Sequence, residues 1–224
     1  MLDCARALCG KFDVAAEIEA DGGTAAPLAG DLARRDAWRA LYSAAREAYR
    51  SLSVLVHSAS PPRIETQTAL QVSEDEWDAM VDTNLRAGFF PAQAAARDMR
   101  AGNLAGRIVL MTSLHAHTPR NLPHYSAAKA GQVMVVRELA RALGSAGIRV
   151  NGIAPGAVPG GGFRGDPVAL GRQIALGRVA RPEEIARAVM MLLDNELAGY
   201  ITGEVLAVDG GLDQFNWMQP PANP

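Results

Sequence analysis

The chain has 224 residues, 49% of them hydrophobic and 21% charged, and its 22 basic and 24 acidic side chains leave a formal net charge of −2. That is enough apolar material for one domain with a full core, spanning 1–224, and the near balance of charge argues against nucleic acid or an anionic membrane surface as a partner. No apolar run approaches the roughly 18 to 20 residues that span a bilayer, and no basic-then-hydrophobic leader opens the chain, so a soluble, cytoplasmic protein is expected.

Leu2 to Ala20 is rich in Ala, Leu, Ile and Glu and predicts a helix that stops before Asp21-Gly22-Gly23. Its Cys4 and Cys9 are too few for a metal site and are expected as thiols on a helix face or buried. Thr24 to Leu32 is a candidate short strand that Pro27, lacking a ladder donor, demotes to an edge or irregular one. Asp36 to Arg50 is an amphipathic helix, followed by the strand Ser53 to His57 and the loop Ser58 to Pro62. Ser73 with Glu76 forms a capping box that opens a long helical region carrying Trp77, Met80, Val81, Leu85 and Phe89 on one side, with Asn84 inside it.

Arg107 to Thr112 reads as a buried strand ending in Ser113, and Leu122 to Gly144 as a helix of about five turns, with Pro123 in its first turn and Gly144 as its stop. A further short apolar run, Ile148 to Ile153, leads into Pro155-Gly156 and a glycine-rich loop, Pro159 to Gly165. Pro182 and its acidic neighbours open another helix, and Tyr200 to Gly211 reads as a turn, a last strand and an exit. The tail Leu212 to Pro224 is irregular. Strands alternating with helices of ten or more residues predict an α/β fold: a doubly wound, mainly parallel, Rossmann-like sheet covered on both faces. In such sheets ligands bind beyond the carboxyl ends of the strands, which is where Ser58 to Ser60, Ser113, Pro155 and Gly156 all fall.

Tyr125 and Lys129 stand four residues apart, on one helix face and one turn from each other. A free tyrosine is a poor proton donor near neutrality, and a neighbouring ammonium favours its ionised form. The spacing by itself also fits a helix with a solvent-facing Tyr and Lys. Ser113 precedes Tyr125 by twelve residues, and Asn84 precedes Ser113 by twenty-nine. The order Asn84, Ser113, Tyr125, Lys129 resembles the catalytic tetrad of the short-chain dehydrogenase/reductase family, and the resemblance runs from about Glu17 to Leu212.

The resemblance implies an oxidoreductase, a ketoreductase in one direction, that interconverts a ketone and a secondary alcohol with NAD or NADP. It casts Tyr125 as the proton donor or acceptor at the carbonyl oxygen, Ser113 as a hydroxyl bonded to that oxygen, and Lys129 as the group holding the nicotinamide ribose. Asn84 would keep a water near Lys129. It places Ser58, Ala59, Ser60, Pro155, Gly156 and Val158 against the cofactor, and Asp31 near the adenine, although an Asp there is equally a turn or cap residue. Family members pair through the helices bearing Tyr125 and Asn84, which implies a homo-oligomer, a dimer or tetramer. His115, His117 and His124 flank the tetrad, but as a ligand set they are thin, and lining the pocket or facing solvent is the expectation for them.

The resemblance also has gaps. The family opens with a strand, a glycine-rich turn and a helix whose N-terminus receives the pyrophosphate; nothing before Gly22 matches, so the usual first two strands have no counterpart. A compacted sheet is expected, with Thr24 to Leu32 beside Ser53 to His57 or detached from it. The family's Asn-Asn-Ala-Gly is His57-Ser58-Ala59-Ser60 here, so a bracket made by its first Asn is in question, and Ala157-Val158-Pro159 stands where a threonine commonly follows Pro-Gly. Gly160 to Gly162 suits either a substrate lid or a loose connection. A second function class stays open: a cofactor-deficient relative acting as a binding or assembly subunit.

Overall fold

The computed structural model describes residues 14–34, 36–49, 51–62, 68–160 and 165–214. The first part of the helix expected from Leu2, both cysteines, Gly161 and Gly162, and the tail beyond Gln214 lie outside the described residues. Four strands, β1 (Val54–His57), β2 (Arg107–Met111), β3 (Arg149–Pro155) and β4 (Val205–Val208), form one sheet in the order β1-β2-β3-β4, and every neighbouring pair is parallel. His57, Leu110, Gly152 and Val205 share one row across it.

Alternate residues of β2 serve opposite faces, as a strand requires. Ile108 and Leu110 pack beneath α4 (Ala87–Ala101) and α5 (Pro123–Leu143), meeting Ala92, Ala95 and Met99 from the first and Val136 and Ala140 from the second. Val109, together with Ile153 of β3, packs on the other face against Ile185 and Leu192 of α7 (Pro182–Leu193). Covered on both sides, the inner strands carry continuous apolar runs rather than alternating ones. The sheet is doubly wound, as the alternation of elements predicts.

The remaining helices bracket this core. α1 (Val14–Ala20) precedes α2 (Ala37–Tyr49), whose Tyr42 hydroxyl donates to Asp98 of α4 at 2.6 Å while Arg46 pairs with the same carboxylate. Burial and the Asp98 charge push the Tyr42 phenol up to about 12. α3 (Glu74–Met80) starts at the predicted capping box, with the Ser73 hydroxyl accepting from Glu76 N and Glu76 accepting from Ser73 N. Two short helices, α6 (Pro167–Gly171) and α8 (Asn195–Ala198), complete the set among the described residues.

Thr24 to Leu32 corrects one expectation: Thr24 to Asp31 has no regular structure and Leu32 lies in a turn, so the candidate strand does not form. A strand is stable only when a neighbour takes its donors and acceptors, and Pro27 has no donor to offer. The segment lies instead against α2, where a Cβ on Gly30 would come within 2.8 Å of Leu41. It is detached from the sheet, and β1 is an edge strand whose Val54 and Val56 are about two-fifths exposed, at 39% and 42%.

Candidate active site

The site is built where β2 and β3 end. Thr112 ties the two strands together, since its backbone N and its Oγ1 both donate to the Ile153 carbonyl, at 2.7 and 2.9 Å. Ser113 follows in extended conformation and caps a short 3-10 turn, Leu114–Ala116, its Oγ accepting from His115 N at 3.2 Å. That bond uses a lone pair and leaves the hydroxyl hydrogen to be donated elsewhere. The chain then crosses to Pro123, in the first turn of α5, which delivers Tyr125 and Lys129 on one face.

Both side chains are buried, at 6% and 3% exposed. An ammonium taken from water needs partners, and Lys129 Nζ donates to the Met111 carbonyl at the end of β2, 2.7 Å away. The same Nζ lies 5.6 Å from the centre of the Tyr125 ring, which the ring of His115 also meets edge-on at 5.2 Å.

Asn84 sits in a wide turn. Residues Val81–Arg86, between α3 and α4, form a π-helical turn in which Asn84 Nδ2 donates to the Met80 carbonyl four residues back, at 3.0 Å. A side-chain donor competing for an i−4 carbonyl is a known way to open a helix, and π-turns concentrate at functional sites. The Asn84 carbonyl in turn accepts from Gln132 Nε2 of α5 at 2.7 Å, while its fully buried Oδ1 has no partner among the described residues.

His57, at the position where an Asn is the family's habit, is 7% exposed at the end of β1. Burial and the Lys129 charge push its imidazole down to about 4, against hydrogen bonds to the backbone at Thr83 and Asn84 that act in the opposite sense. It is therefore neutral at pH 7. Its Nε2 is buried without a hydrogen-bond partner among the described residues.

A cavity of about 820 Å³ opens along this edge. Ser113 and Tyr125 line it from one side, Ser58 and Ser60 from the end of β1, and Pro155, Gly156 and Val158 from the end of β3. Lys129 and Asn84 are not in its wall and stand behind it. Besides Lys129, two further expected cofactor residues do not line it: Ala59, and Asp31, whose Oδ1 accepts from Ala33 N at 3.0 Å as a turn residue does. His115 lines the cavity, His117 is exposed, and His124 is buried, its imidazole pushed down by desolvation. No group of three or more metal-ligating side chains occurs among the described residues.

Sequence reasoning missed Arg120 and the α7 wall, where Ile185, Val189 and Met190 face the cavity. Their spacing was a readable helical stripe, but which opening it faced depended on the sheet beneath. The wall suits a nicotinamide and its ribose, with hydroxyls at Ser58 and Ser60, an apolar floor, and the Pro155 to Val158 backbone.

A protein-family model described as "Enoyl-(Acyl carrier protein) reductase" matches residues 7–213. An L-rhamnose 1-dehydrogenase (NAD(P)(+)) of Azotobacter vinelandii is 34% identical over 210 residues, 91% of this chain and 81% of that protein. A short-chain dehydrogenase/reductase from Serratia marcescens superposes with a TM-score of 0.79 at 31% identity, over 89% of this chain and 81% of the other. The chain belongs to the short-chain dehydrogenase/reductase family. Within that family it is also similar to glucose 1-dehydrogenase 2 of Bacillus subtilis, 31% identical over 88% of this chain and 78% of that one. The structure of acetoin dehydrogenase from Enterobacter cloacae superposes with a TM-score of 0.85 at 30% identity, covering 93% and 83% of the two chains. Family membership places the chain among oxidoreductases that act on CH–OH groups with NAD or NADP. No helix among the described residues is long and apolar enough to cross a membrane.

Proposed function

We propose that this chain interconverts a ketone and a secondary alcohol through Tyr125, Ser113, Lys129 and Asn84. The observation that carries the reading is the wall of one cavity shared by the Tyr125 phenol and the Ser113 hydroxyl, with the Lys129 ammonium buried directly behind the phenol. When bound, NAD(P)H supplies the hydride. Ser58, Ser60 and the Pro155 to Val158 backbone would hold its nicotinamide end. In reduction, Tyr125 Oη gives its proton to the carbonyl oxygen, and Ser113 Oγ donates a hydrogen bond to that same oxygen as negative charge develops on it. The Lys129 ammonium stabilises the charge left on the phenolic oxygen. Asn84 Oδ1, buried without a protein partner among the described residues, suits a water that returns a proton toward Lys129.

We also infer a homo-oligomer that works in the cytoplasm, joined through the helices around Asn84 and Tyr125. Trp77 of α3 and Met134 of α5 are 41% and 52% exposed there. The deciding experiment is a fluorescence titration of the purified protein with NADH and NADPH, followed by turnover of a ketone panel by wild type and Tyr125→Phe. Saturable micromolar binding, with turnover lost in the variant, is expected. No binding up to millimolar nucleotide would favour a binding or assembly subunit instead, and unchanged turnover in Tyr125→Phe would overturn the proton-delivery role.

A further inference from the structure

Among the described side chains that line the cavity, Arg120 alone carries a formal charge, and none is an Asp or Glu. Arg120 stands in the segment joining Ser113 to α5, seven residues after Ser113 and five before Tyr125. Both Arg120 and Tyr125 line the one cavity. Around them the wall is mostly hydroxyl and hydrocarbon, including Leu114 and Leu212 from a buried cluster. The guanidinium has no carboxylate partner among the described residues. An arginine keeps its charge at any ordinary pH and presents a rigid fork of donors that matches a carboxylate with two parallel bonds. Arg120 is itself exposed to solvent, and the low-dielectric walls of the cleft focus its field inward.

We propose that Arg120 binds the carboxylate of an oxo-acid or hydroxy-acid substrate while the ketone or alcohol carbon of the same molecule lies at Tyr125 and Ser113. This rests on the oxidoreductase reading for its reaction, but the anion site stands on the charge pattern of the cavity. The described lining explains the choice: a carboxylate gives its one cationic side chain a counter-ion that a neutral ketone lacks, and a cationic substrate would be repelled by it. A carboxylate satisfies the fork and fixes which end of the molecule faces the phenol. Arg120 is thus a binding residue that selects among ketones.

The test measures binding separately from turnover. The probes are 2-oxobutanoate, 4-oxopentanoate and 5-oxohexanoate, each against its uncharged methyl ester, titrated by saturation-transfer NMR into wild type, Arg120→Met and Arg120→Lys. An ion pair to an exposed guanidinium predicts that at least one acid binds wild type about two- to fivefold more tightly than its ester. That ratio should fall to near one in Arg120→Met and return in large part in Arg120→Lys, with NADH and NADPH affinities unchanged in both. Equal affinities for every acid and ester in wild type would overturn the proposal. So would a loss in Arg120→Met that falls on NADPH rather than on the acids, because Arg120 would then serve a cofactor phosphate. If the acid preference holds and no ketone turns over with either nucleotide, the oxidoreductase reading fails and the anion site stands. If esters and acids turn over with equal efficiency, the reaction stands and the anion site fails.

Discussion

Lowering the pH should destabilise this protein by way of His57. The imidazole is 7% exposed and held down to about 4, mainly by burial and next by the Lys129 charge, whereas in the unfolded chain it titrates near 6.5. Between those values the unfolded state binds the proton and the folded state does not, so stability is present above pH 6.5 and is lost as the pH falls toward 4. The full shift corresponds to about 3 kcal/mol, and about 2 kcal/mol of it should be lost between pH 7.5 and 5.0. His124, shifted in the same direction, adds to the slope, so the variant His57→Asn is needed to isolate the effect. Urea unfolding of both proteins at both pH values yields four free energies. The difference between wild type and His57→Asn should change by about 2 kcal/mol across the interval, with wild type losing more. Parallel losses in the two proteins would mean that His57 is not held neutral by its surroundings.

Other outcomes are expected from the packing. A Cβ on Gly156 would lie 2.7 Å from Asp209 Cα, a backbone atom that cannot turn aside, so Gly156→Ala should cost about 1–3 kcal/mol and weaken nucleotide binding; unchanged urea midpoint and affinity would refute the close approach of β3 to the exit of β4. Leu110 is fully buried beneath α4 and α5, and Leu110→Ala should lower stability by about 2–5 kcal/mol, read from the same urea curves. Tyr42→Phe removes the hydroxyl that joins α2 to Asp98 and should cost about 0.5–1.5 kcal/mol, with turnover unaffected because the pair lies away from the cavity. Light scattering should report a dimer or tetramer, and a monomer at micromolar concentration would count against the oligomer reading.

Much of the fold was readable because it is local. The Ser73 and Glu76 capping box, Pro123 in the first turn of α5 and the apolar runs of β2 and β3 each depend on residues within a few positions, and each element appears where its own chemistry puts it. The alternation of those elements implied a parallel sheet with helices on both faces, and the loops at its carboxyl edge therefore named the region where Ser113, Tyr125 and Gly156 now share a cavity. Tyr125 and Lys129 were legible for the same reason, since four residues on a helix is a distance in space.

Tertiary structure decided what depends on partners remote in sequence. Thr24 to Asp31 has strand-like residues but no strand, because the ladder that would stabilise it must come from another segment. Asp31, for which a place near the adenine and a turn role were equally expected, accepts from Ala33 N in its own turn and does not line the cavity. The burial that keeps His57 neutral comes from helices in later parts of the chain, and the exposure of Arg120 to the cavity comes from walls contributed by β3 and α7. Periodicity and capping act over one or two turns of chain, whereas desolvation and shared cavities are set by whichever surfaces the folded sheet brings together.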